Sequence, residues 1–201
     1  MSRIESTEAL EALYGTPPET SLRKVTDWLH PVYRRWIEAS RFMVLTTVGP
    51  EGTDGTPRGD EGPVVAVLDD KTLAMPDWRG NNRLDSLKNI VRDGRVSCMF
   101  MVPGSINVVR VNGQAHVTVA PDMLARFNRK GILPRSVIVI DVGEVYFQCA
   151  RALVRAGLWT SGDESAGIPT AGEMLSAVTA GEIGGTDYDK DWPGRAKATM
   201  W

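Results

Sequence analysis

Apolar residues change their spacing twice along this chain. Up to residue 39 they recur at helical intervals. Leu10, Leu13 and Tyr14 follow a Ser6-Thr7 cap and stop at Gly15, and Leu22, Val25, Trp28 and Leu29 come after TPPET. Val32, Trp36 and Ile37 then share a stripe over Val32–Ala39. His30-Pro31 separates the last two groups, because a residue before proline avoids the α region. The three predicted helices have no face able to bury all of them, so the pattern predicts that they clamp onto a sheet.

From residue 40 to 160 the apolar period shortens. RFMVLTTVG, VVAVLDD, KTLAM, RVSCMFMV, INVVRVNGQAHVTVA and SVIVIDVGEVYF are rich in β-branched residues and predict strands. PEGTDGTPRGDEGP, after the first of these, predicts a turn-dense insertion, and Asp69-Asp70 a tight hairpin turn. One helix is expected from the PDWRGNNRLDSLKNI stretch, with Leu84, Leu87, Ile90 and Val91 inward, and a short one over Asp122–Asn128. Short connections favour antiparallel pairing, and six such strands are expected to close into a small barrel that leaves no exposed edge. The fold class is therefore mainly β (α+β), an antiparallel six-stranded barrel with flanking helices. CARALVRAGLW is again helical. Residues 161–201 form a Gly-rich extension around one helix, opened by a Thr170/Glu173 capping box before Met174, Leu175 and Val178. Its end is expected to be loosely ordered or to reach a partner subunit. The expected division is 1–39 helical, 40–160 barrel and 161–201 extension.

Composition narrows the function more than the fold. Of 201 residues 42% are hydrophobic and 24% charged, enough for a packed core, and the net charge of -2 argues against nucleic acid as a partner. No apolar run is long enough to cross a bilayer, and the polar, acidic start MSRIESTEALEALYG does not resemble a signal peptide. The two cysteines, Cys98 and Cys149, lie far apart, which predicts free thiols in a reducing cytoplasm, with Cys149 a buried one. The two histidines, His30 and His116, are expected to be structural, and no metal-ligand spacing is present.

Candidate chemistry gathers on arginines. WRGNNR puts Arg79, Gly80, Asn81, Asn82 and Arg83 where a strand passes into a helix. The first helical N–H groups lack partners there, and guanidinium forks suit phosphate oxygens. A solvated turn accounts for the same residues. Arg58 stands beside Gly59 and Asp60 just ahead of a strand, and Arg110 interrupts an apolar strand before Asn112-Gly113. Trp78 and Trp159 are expected to pack in the core or to cover a flat ligand. No serine–histidine–acid or paired-carboxylate set emerges.

In order, TPRGDEGPVVAVLDD, LAMPDWRGNNRLDSLKNI, INVVRVNGQAHVT and VYFQCARALVRAGLW closely resemble the pyridoxamine 5'-phosphate oxidase-like, FMN-binding split-barrel proteins. The resemblance covers most of residues 40 to 160. It implies a homodimer of split barrels with FMN at the subunit interface. It further implies that Arg58, Gly59 and Asp60, together with Arg79, Asn81, Asn82 and Arg83, hold the phosphate and ribityl chain. Met75, Pro76 and Asp77 would run beside the flavin, and Arg110 would reach or buttress it. Two places depart from the oxidase proper: Gly80-Asn81-Asn82 replaces a Ser-Arg-Lys triplet, and the ending WPGRAKATMW lacks the Trp and Arg-Leu pattern. The implied activity is flavin-mediated hydride transfer to or from an unidentified small substrate; the alternatives are a non-catalytic flavin-binding or sensor protein, a deazaflavin or haem ligand on the same barrel, and an interaction domain without ligand.

Overall fold

The structure is a computed structural model that describes residues 3–201. Its framework is set by β1 (Phe42–Gly49), whose Met43, Leu45 and Thr47 point inward while the residues between them are partly or wholly exposed. That alternation is what a sheet with one buried face requires. Across the Pro50-Glu51 turn, β2 (Gly52–Gly59) pairs with β1 residue for residue, from Gly49↔Gly52 to Phe42↔Gly59. Most of the expected turn-dense insertion is therefore a strand. Its glycines and Pro57 are tolerated because β2 lies at an edge of the sheet.

Beyond β1 come β5 (Arg95–Met101), β6 (Val108–Thr118), β7 (Ser136–Gln148), β4 (Thr72–Asp77) and the two-residue β3 (Ala66–Val67), every neighbouring pair antiparallel. Seven strands thus form one sheet in the order β2-β1-β5-β6-β7-β4-β3, an open ladder rather than a closed six-stranded barrel. The sheet nevertheless curls. Arg58 at one end of the strand order reaches Asp77, five strands away, with Nη1 2.7 Å from Oδ1. Side chains, not ladder hydrogen bonds, bring the two ends together there. Val64 and Val65, expected in a strand, are buried just outside the ladder.

A register shift opposite Asn112/Gly113 skips Gly143, between Glu144 and Val142, and marks a β-bulge in β7. A Cβ at Gly113 would lie 2.0 Å from the Asp141 carbonyl oxygen, so only glycine fits. One core fills the concave face: Met43, Leu45, Leu73, Met75, Cys98, Phe100, Val111, Ile138 and Ile140 are all at most 1% exposed.

Helices flank this sheet. In α3 (Pro31–Ala39), Tyr33 and Ile37 are buried while Val32 faces outward. α4 (Asp85–Arg92) buries Ser86, Asn89 and Ile90; Leu84 and Val91 are exposed, against expectation. The buried polar pair Asn89 and Thr47 explains the rotated face, since the Asn89 amide donates to the Thr47 hydroxyl at 3.1 Å. α1 (Thr7–Tyr14) is capped by the Ser6 hydroxyl and buries nothing. α2 spans only Glu19–Arg23; Val25 to Leu29 leave the helix, with bends at Asp27 and Trp28, because Thr26 bridges to Val145 of β7 through two backbone hydrogen bonds. α5 (Pro121–Arg126) and α6 (Arg151–Arg155) are short. α7 (Ala171–Val178) carries the expected capping box, and α8 (Gly185–Thr199) turns the expected loose ending into a helix. No described helix is long and apolar enough to cross a membrane.

Candidate functional site

Where the curled sheet ends face each other, a polar cleft of about 520 Å³ opens. Its walls are Asp54 to Arg58 of β2, the end of β4 with Trp78, the loop Gly80–Leu84, the first turn of α4, and Arg135. The loop has the composition expected of an anion site but not the expected geometry. α4 begins only at Asp85, because Asn82 (φ 61°) and Leu84 (φ 62°) adopt the left-handed conformation and break helical continuity. The Asn81 side chain accepts from the Arg83 backbone N–H at 3.1 Å, a local turn that asparagine favours. Asp85 already sits in the first helical turn, where it complements the helix dipole, and it takes the Arg83 guanidinium at 2.8 Å. The helix start is thus partly served by the protein itself.

Arg58 is the least satisfied cation at the cleft. Its Nη1 is paired with Asp77, its side chain is 23% exposed, and its Nε is buried without a partner among the described residues. A buried guanidinium N–H left unpaired is costly. Arg135 donates to the Asn82 side-chain oxygen at 2.8 Å, and the Ser86 hydroxyl donates to Asp54 at 2.6 Å, tying the loop and α4 to the cleft walls.

Of the residues singled out in sequence, Arg58, Asp77, Asn81, Asn82 and Arg83 line the cleft. Gly59 ends β2 beside it. Asp60 lies deeper, accepting from the Trp78 indole N–H at 3.1 Å and from Arg129. Arg79 is exposed in the loop but is not part of the lining, and Met75 and Pro76 are buried in β4 opposite Ile138 and Val137. Arg110 stands apart from the lining, its guanidinium 5.4 Å from the centre of the Tyr146 ring. Sequence reasoning missed Asp54, Ser86, Arg129 and Arg135. Only an arginine directly ahead of an apolar strand hinted at Arg135; nothing local marked the others. Trp159 packs against the β5–β6 connection, donating to the Ser105 carbonyl at 2.8 Å. His30 caps α3, and His116 is exposed on β6. Cys149, expected buried, is exposed because β7 has ended at Gln148; Cys98 is the buried thiol, its pKa pushed up to about 12 by desolvation.

The family model for pyridoxamine 5'-phosphate oxidase matches residues 29–149, from just before α3 through β7. The chain belongs to this family. No curated protein matches the chain by sequence. Among solved structures, a histidine-to-alanine variant of HupZ from Group A Streptococcus is similar at a TM-score of 0.50 and 16% identity, covering 60% of this chain and 99% of its own. General Stress Protein 26 from Bacillus anthracis follows at 0.43 and 16%, covering 57% and 88%. An FMN-binding protein from Syntrophomonas wolfei matches at 0.42 and 16%, covering 64% and 95%. The HupZ likeness extends to the fold. The family match ends before α6, so everything from α6 to Trp201 is added outside it.

Proposed function

We propose that this protein binds FMN in the cleft between β2 and the β4–α4 loop and acts as an FMN-dependent oxidoreductase. The observation that carries the reading is Arg58: a family-matched arginine beside an open polar cleft, whose buried Nε lacks an acceptor among the described residues. Phosphate oxygens are the kind of acceptor a guanidinium fork receives best. Arg83 and Arg135 add positive charge, and the amides of Asn81 and Asn82 add uncharged donors. Asp77 keeps Arg58 oriented through its 2.7 Å contact. The Trp78 indole offers a flat apolar wall, and it is held in place by Asp60. When bound, FMN supplies hydride acceptance and donation at its N5, so the chain needs no nucleophile of its own. We further propose a cytoplasmic homodimer. The apolar residues that α1 and α2 leave exposed, among them Leu10, Leu13 and Leu22, support the pairing.

Purified protein should carry a yellow chromophore or take up added FMN with quenching of flavin fluorescence. Arg58→Ala should weaken that uptake by at least tenfold. Failure of the native protein to bind FMN ends the reading. Binding without any oxidation of NADH or NADPH would leave a flavin-carrying module in place of an enzyme, and a monomeric mass by light scattering would remove the dimer.

A further inference from the structure

The last residue of the chain lies against the cleft wall. In α7 and α8 only Gly172 is buried, yet the Trp201 ring meets the Trp78 ring edge-on at 5.4 Å and 81°. The Arg129 guanidinium lies 3.9 Å from the Trp201 ring centre and 5.6 Å from that of Trp78. Arg129 also donates to Glu61 at 3.0 Å and to Asp60, whose side chain is 6% exposed. The other Asp60 oxygen accepts from Trp78. Trp78, Asp60, Arg129 and Trp201 therefore close a ring of four side chains, and the C-terminal indole is the member contributed from outside the family-matched region.

The position of Trp78 makes this ring consequential. It follows Asp77, the final residue of β4, and the cleft loop departs from it. That loop holds two non-glycine residues in the left-handed conformation, which persist only where the surroundings hold them. Edge-to-face aromatic contact and a cation over a ring face are directional, so they restrain the Trp78 ring and not merely bury it.

We propose that Trp201 is a positioning residue of the cleft. By clamping Trp78 it fixes the root of the Arg79–Leu84 loop, and with it the donors that receive the ligand. The structural half of this inference stands on the ring alone; its consequence for FMN rests on the proposed function.

The test uses the full chain as wild type, Trp201→Ala and Trp201→Phe. Trypsin cleavage after Arg79 and Arg83 is followed by mass spectrometry without ligand, and FMN affinity is measured by fluorescence quenching. The expected result is at least fivefold faster cleavage at those two sites in Trp201→Ala, with cleavage after Arg95 and Arg110 in the sheet unchanged. Trp201→Phe should restore slow cleavage, because it keeps the aromatic contact, and the FMN dissociation constant should rise about tenfold for the alanine variant only. Unchanged cleavage at Arg79 and Arg83, or acceleration throughout the sheet, overturns the inference. A loosened loop with unaltered FMN affinity overturns its link to the ligand. A loosened loop in a protein whose wild type binds no FMN upholds the positioning role and defeats the proposed function instead.

Discussion

Strand β4 passes from one kind of environment into another within a few residues. Leu73 and Met75 are sealed against β7, at 0% and 1% exposure, and ask nothing of their neighbours beyond shape. Asp77, two residues on, holds Arg58 across the gap between the sheet ends, and after Trp78 the chain enters a loop of polar side chains with two left-handed residues. The first region is stabilised by non-directional burial and has its polar groups in ladders. In the second, each group depends on a particular partner, and Arg58 Nε has none among the described residues. The core has one departure of its own, the buried Trp36 indole N–H without a partner among the described residues, but an unpaired guanidinium nitrogen and two left-handed residues gather at the cleft, and departures of that kind concentrate where a protein handles a ligand.

The contrast can be broken most forcefully from the core side. Phe100, fully buried opposite Met43, should cost about 3–5 kcal/mol when changed to alanine, measured by urea denaturation. Asp77→Asn should cost less, about 2 kcal/mol, because it strips a largely buried guanidinium of its charged partner without opening a cavity. The comparison fails if the asparagine variant is the more damaging of the two. The thiols sharpen it with the smallest effect. Native protein should show one fast-reacting thiol with an aromatic disulfide reagent, Cys149, and a second only after unfolding, Cys98. The sign for Cys98 follows from its raised pKa: between the ordinary 9.0 and about 12 an unfolded thiol ionises while the folded one stays protonated, so its contribution to stability is lost as pH rises through that window. Two fast thiols in folded protein would contradict the sealed core.

Several elements were legible because their signals are local. The apolar runs RFMVLTTVG and RVSCMFMV predicted strands, and β1 and β5 lie there. The Thr170/Glu173 capping box needed only its own four residues. Other elements were hidden by composition. GTDGTPRG carries turn residues, and only eight paired positions along β1 make it a strand. The helix expected through Leu29 gave way after Arg23 because a bridge to Val145 offered its backbone a better partner. At the site, Arg58, Asp77 and the loop asparagines could be singled out along the chain. Arg135 could not, since it meets Asn82 across 53 residues.

By itself, then, the amino-acid order determined where most strands lie, the capped helix ends, the asparagine turn ahead of α4 and the kind of chemistry the arginines offer. These depend on neighbours a few positions apart, whose energies exist in any conformation that keeps them close. The tertiary structure alone decided that β2 is an edge strand, that Arg58 and Asp77 close the curled sheet, and that Trp201 returns to clamp Trp78. Those contacts join residues distant in the chain, and their energy appears only after the sheet has curled and brought them within reach.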